Sequence, residues 1–129
     1  MDGPPDVDAL DEIDQSVLAG LLARLGARVA DGLRRQFAAD LREVQHRLCA
    51  TGGPVPDLVT MARQAHVLVG LAGTAGAGVL ASRARGLLRA ATQGDAAASA
   101  RALSEILPRI DALAAFVATC PLPSDQTPP

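Results

Sequence analysis

Apolar residues recur along this chain at intervals of three and four, the spacing that gathers them on one side of an α-helix. The first run spans about Ile13 to Leu25, with Val17, Leu18, Leu21, Leu22 and Leu25 in register and Gly26 as a stop. Val29, Leu33, Phe37, Leu41, Val44 and Leu48 form the next stripe, with Arg34, Arg35, Arg42, Glu43 and Arg47 on the opposite face. Thr51-Gly52-Gly53-Pro54-Val55-Pro56 reads as a loop. Asp57 is placed to cap a third helix whose stripe is Leu58, Met61, Ala65, Leu68, Ala72 and Ala75, with the turn out of it expected from Gly73 to Gly78. A fourth helix carries Leu80, Ala84, Leu87, Leu88 and Ala91 and ends at Gly94, where Asp95 caps a fifth. The fifth carries Leu103, Ile106, Leu107, Ile110, Leu113 and Val117, and Pro108 within it predicts a kink or an imperfect turn. Four main helices with a shorter one leading in, joined by short loops, predict an all-α fold: an antiparallel up-down four-helix bundle with a short additional N-terminal helix. The bundle is expected over 11–120, between an acidic Pro/Asp-rich tail at 1–10 and a Pro-rich tail at 121–129.

The third helix stands apart because its outer face is so bare. Advancing 100° per residue places His66 about 130° from the centre of the apolar stripe, toward solvent. Beside it fall Val59, Arg63, Gly70 and Gly73, with Ala62 and Val69 bordering the core side. Each glycine inside a helix costs about 1 kcal/mol relative to alanine. Two of them, one and two turns beyond a histidine, keep the space around the imidazole clear, and the simplest use of cleared space is docking of another protein. A histidine that merely sits on a surface does not explain the glycines or the apolar flank. His46, by contrast, lies among Arg42, Glu43, Gln45 and Arg47 on a solvated face. His46, Cys49 and His66 lack the ligand number and spacing of a metal site, so no metal is expected on this chain.

An imidazole in water is substantially neutral at pH 7 and therefore a competent nucleophile or base. No serine or cysteine is placed to make His66 the base of a triad, and no second acid is placed for hydrolysis. What remains is attack by the imidazole itself on an electrophile brought by a partner, and a phosphoryl group screened by a nearby arginine fits best.

Composition narrows the alternatives. The only aromatic residues are Phe37 and Phe116, and alanine, leucine and arginine dominate, which favours helix over sheet. The first fourteen residues hold six acids and no arginine, whereas the remaining 115 hold eight acids and twelve arginines. That field is too weak for nucleic acid, and there is no aromatic stacking platform. Cys49 and Cys120 have neither CxxC nor zinc spacing, so free thiols in a reducing compartment are expected. The acidic N-terminus is no signal peptide, and no apolar run has the length of a membrane span. These features predict a soluble cytoplasmic protein.

The segment Ala65-His66-x-Leu68-x-Gly70-x-Ala72-Gly73-x-x-Gly76-Ala77, followed by Leu80, Ala84 and Leu88 and then Gly94-Asp95, resembles the histidine phosphotransfer (HPt) domain of multistep two-component phosphorelays. The likeness covers most of residues 14–118 in helix order, and its specific part surrounds His66. It implies a four-helix bundle with a short N-terminal helix. It also implies that His66 accepts a phosphoryl group from the aspartate of one response-regulator receiver and passes it to another, with Gly70 admitting the partner and Leu68 anchoring the core. The partners implied are a receiver domain, a hybrid histidine kinase, or both. Magnesium would come with the receiver and no cofactor would sit on this chain. With no nucleotide-binding domain expected, the chain would be a phosphotransfer intermediate and not a complete kinase. Where the family usually has lysine three residues after the histidine, this chain has Val69, and Leu71 and Ala72 stand where small or hydroxylated residues are common. Arg63, three residues before His66, is placed to substitute for the lysine, and Arg83, Arg85 and Arg89 are placed to greet an acidic receiver surface. Val69 also motivates a second reading, a degenerate HPt-like module that docks a receiver or kinase without accepting phosphate. A third is a plain helical scaffold in which His66 is incidental.

Overall fold

A computed structural model describes residues 12–123, and within them the chain is all helical, with five helices that pack against one another and no strand. They are α1 (Gln15–Ala23), α2 (Ala27–Cys49), α3 (Leu58–Thr74), α4 (Gly78–Thr92) and α5 (Ala96–Thr119). The expected tail at 1–10 lies outside the described residues, as do residues 124–129 of the tail expected at 121–129, whereas Leu122 within that tail packs against the core.

Three helices start on an aspartate cap, two of them, Asp57 and Asp95, at the expected residues. Asp14 accepts a hydrogen bond from the Ser16 amide at 3.1 Å, Asp57 from the Thr60 amide at 3.0 Å, and Asp95 from the Ala98 amide at 3.0 Å. Two glycines play roles other than those expected. Gly26 does not stop α1, which ends at Ala23; its extended backbone (φ −65°, ψ 155°) makes it the N-cap of α2. Gly73 does not begin the turn after α3, because the helix continues through Thr74, whose hydroxyl donates to the Gly70 carbonyl at 2.9 Å. The turn is Ala75–Ala77, and Gly76 supplies its positive φ of 81°. Pro108 does not break α5 either. The amide it lacks would have bonded the carbonyl of Ser104, which is an exposed residue, so the missing bond falls where water is available.

The core is aliphatic. Leu18 and Leu22 from α1, Leu41 and Leu48 from α2, Leu68 from α3, Leu87 from α4 and Ile106, Ile110 and Leu113 from α5 are fully buried. The closest packing joins α3 to α4, where Ala65, Ala72, Ala75, Ala77, Ala81 and Ala84 are all buried and let the two backbones approach. α2 lies against α3 and α5, and α4 lies against α5, while α3 and α5 barely touch. α1 is fastened over the α3–α4 turn by the Asp14 amide donating to the Gly76 carbonyl at 2.9 Å. No described helix is long and apolar enough to cross a membrane.

Candidate functional site

The outer face of α3 is built from its own periodicity. Met61, Gln64, Ala65, Leu68 and Ala72 are buried, which turns His66, Arg63, Gly70 and Gly73 to solvent. Val59 and Val67 are 69% and 43% exposed, so apolar side chains stand at the surface of this helix. Val69 differs: it is half-buried at the edge of the face and packs against the core. His66, Val59, Gly70 and Gly73 therefore share one exposed strip, with Arg63 on one flank and Val69 on the other.

Nothing inside the molecule explains the two glycines. A methyl group built on Gly70 or Gly73 meets no atom within 4 Å. Gly20, Gly32 and Gly86 are equally open, so openness alone does not single out the α3 pair. Their alignment with His66 does.

The electrostatics of the strip are simple. Across α3 and α4 there are four arginines and no carboxylate. Among the described residues the His66 imidazole makes no hydrogen bond, and Arg63 no ion pair within 4.0 Å. The nearest acid in sequence, Asp57, is committed to capping. Its carboxyl is held below the usual aspartate range by the Thr60 hydroxyl and amide first, and by the positive charge of Arg63 to a lesser degree. No group of three His, Cys, Asp or Glu residues able to hold a metal ion occurs among the described residues. His46 lies on the exposed side of α2 close to Glu43, which is tied to Arg47. Cys49 is an exposed free thiol, and Cys120 is buried.

α4 departs from the sequence reading at one arginine. Arg83 is turned toward α5, where its Nη1 lies 3.2 Å from Glu105 Oε2 and its Nε is buried without a partner. It is no free cation for a docking protein. Arg85 and Arg89 are exposed and carry no ion pair among the described residues. Helical periodicity does not reveal the orientation of Arg83, because that depends on the register of α5 against α4.

Two further features escaped the sequence reading. Val55, in the loop before α3, is 87% exposed. An apolar depression of about 280 Å³ lies at the loop end of the molecule, lined by residues including Pro56, Met61, Ala100, Leu103 and Leu107. Met61 points away from the His66 strip, so the depression is not part of this site.

An exposed imidazole with cleared space, one adjacent cation and no orienting carboxylate is equipped for direct nucleophilic attack on an anionic electrophile carried by another molecule. Comparison with protein-family models, curated proteins and solved structures finds no match for this chain.

Proposed function

We propose that the chain is a histidine phosphotransfer protein that relays a phosphoryl group between receiver-domain aspartates through His66. The observation that carries this reading is the exposed His66 imidazole, aligned on one bare face with Gly70 and Gly73, whose small size serves no packing purpose within the molecule. In the forward step the unprotonated imidazole nitrogen attacks phosphorus. A P–N bond forms, the P–O bond to the aspartate breaks, and the carboxylate leaves with the electron pair. The proton on the other ring nitrogen stays in place. Arg63 lies on the flank from which a guanidinium can screen the phosphoryl oxygens. Magnesium belongs to the receiver.

The architecture fits the same reading. Each of α2 to α5 packs on its neighbours in sequence, α2 closes against α5, and the α3–α5 diagonal is nearly empty. This supports an antiparallel up-down four-helix bundle, with α1 as the short additional helix. Such a protein works in the cytoplasm, where receivers and kinase cores reside.

Val69 favours a second reading. The residue beside the strip where a lysine would assist phosphate is a valine anchored on the core, so the chain is alternatively a module that docks a receiver or kinase without taking phosphate. The deciding experiment incubates the protein with receiver domains of its own organism, phosphorylated with acetyl phosphate, and compares wild type with His66→Gln. Acid-labile, alkali-stable label on the wild type alone supports the relay. Binding without label selects the docking module. Neither binding nor label removes both.

A further inference from the structure

Arg63 stands on one flank of the His66 strip, whereas the opposite flank, marked by Val69 and Ala62, carries no charge on α3 itself. A phosphoryl group bears between one and two negative charges near pH 7, and a single guanidinium covers only one side of it. The neighbouring helix supplies a cation for the other side. Two ion pairs fix the hand of the bundle: Arg83 of α4 lies 3.2 Å from Glu105 of α5, and Arg42 of α2 lies 2.6 Å from Asp111 of α5. With Arg83 on the α5 flank of α4, the order α2, α3, α4, α5 runs clockwise when viewed from the α3–α4 turn. In right-handed helices that order sets α4 on the Val69 flank of α3.

Arg85 occupies the matching flank of α4. It follows Arg83 by two residues, about 200° round the helix, and is therefore turned from α5 toward α3 and solvent. Arg83 is held by Glu105, and Arg109 of α5 by Glu12 at 2.8 Å, but Arg85 is exposed and has no ion pair among the described residues. Its height matches as well. The two helices fold back on each other across the turn at Gly76, with His66 ten residues before it and Arg85 nine after. The two residues thus stand about 15 and 14 Å down their axes. Ala65, Ala72, Ala81 and Ala84 are buried and bring those axes together. Packed helices lie about 8–10 Å apart, a gap that the long arginine side chain bridges. We infer that Arg85 is a second phosphoryl-binding residue, which with Arg63 brackets the His66 imidazole, one guanidinium from each side. The inference rests on His66 as the group that bears phosphate, and it deepens that reading by giving α4 a part in the site. A guanidinium stays charged at every working pH and matches phosphoryl oxygens in pairs.

Potassium phosphoramidate tests it without any receiver, in a His46→Gln background that leaves His66 as the only imidazole. The unprotonated His66 nitrogen attacks phosphorus, a P–N bond to the ring forms, and ammonia leaves with the electron pair of the bond that breaks. Phosphorus NMR at low ionic strength then follows the titration of the bound phosphoryl group. Arg85→Gln is expected to raise the pKa of that group by about 0.5, the effect of one charge about 5 Å away in water. Arg85→Lys is expected to keep most of the wild-type value, and Arg101→Gln, on the first turns of α5, to leave it unchanged. A titration unmoved by Arg85→Gln, or moved equally by Arg101→Gln, overturns the inference. So does refusal of His66 to take phosphate from the reagent. Absence of transfer from phosphorylated receivers would remove the relay but leave this titration readable, which keeps the two failures apart.

Discussion

The Gly76 carbonyl accepts the Asp14 amide at 2.9 Å, and a Cβ on Gly76 would stand 2.6 Å from the Asp14 carbonyl oxygen and 2.9 Å from Val17 Cβ. The glycine also sits at φ 81°, where a side chain is strained in any surroundings. Backbone strain and a clash with backbone act together here, because the Asp14 oxygen cannot swing away as a flexible side chain would. Gly76→Ala is expected to lose about 2–4 kcal/mol, a fall of roughly 10 °C in Tm. Thermal and urea unfolding followed by circular dichroism measure it. An unchanged Tm would mean that α1 is not fastened at this turn.

Acid should destabilise the fold in a defined window. Asp57 is held below the ordinary aspartate range by Thr60, and Asp111 by a hydrogen bond from Arg42 at 2.6 Å. Glu43 is likewise lowered by Arg47. A carboxyl whose folded pKa is depressed contributes stability that is complete above its unfolded pKa, near 4, and is lost as pH falls through the lower folded value. Tm should therefore be flat from pH 7 to about 5 and decline below about 4. Asp57→Asn should lower Tm at pH 7 and flatten part of that decline; equal acid sensitivity in the variant would show that the cap does not titrate with folding.

The helices of this protein were legible because the apolar period is strict and the loops are short. Asp57 and Asp95 announced their caps by standing directly before apolar runs. The glycines were harder to read. Gly26 follows an apolar run just as a helix stop would, and only its backbone angles show that it begins α2 instead. In Gly73-Thr74-Ala75-Gly76 any of several residues can open the turn, and propensity does not choose among them. The choice falls on Gly76 because α1 crosses there, a contact between residues 62 positions apart. The exposed side of His66 followed from periodicity alone. The partner of Arg83 did not, nor did the pairing of Glu12 with Arg109, since both depend on tertiary register.

Ser99, on the first turns of α5, is fully buried, and its hydroxyl finds no partner among the described residues. A buried hydroxyl without a hydrogen bond costs about 1–3 kcal/mol. Ser99→Ala removes that cost with little loss of volume and adds helix propensity. It should raise stability by about 1 kcal/mol in urea denaturation. A destabilised variant would show that the hydroxyl is satisfied in solution.

The two thiols should differ sharply in reactivity. Cys49 is exposed on the last turn of α2, whereas Cys120 is 2% exposed and burial pushes its thiol above the ordinary range. The thiolate is the reactive form, so Cys120 is disfavoured both by access and by protonation. Titration of the native protein with a thiol reagent at pH 8 should count one fast group, and a second only in denaturant. Two fast groups in the native state would contradict the packing of the α5 C-terminus, where Arg34 donates to the Cys120 carbonyl at 2.8 Å.

Gly70 separates stability from function most cleanly. A methyl group there meets nothing within 4 Å, and the residue lies well inside α3. Gly70→Ala should therefore stabilise the fold by about 0.5–1 kcal/mol, since it removes backbone freedom from the unfolded chain and clashes with nothing in the folded one. Gly70→Arg should also leave the folded protein intact, because its side chain has open solvent to enter. On the proposed function the arginine occupies the ground a receiver needs, so receiver binding and His66 labelling should both be lost while Tm is kept. His66→Gln serves as the control, since it removes the nucleophile without filling the space and should bind as the wild type does. If Gly70→Arg binds and transfers normally, the open strip beside His66 is not where a partner docks, and the glycines of α3 have no role in recognition.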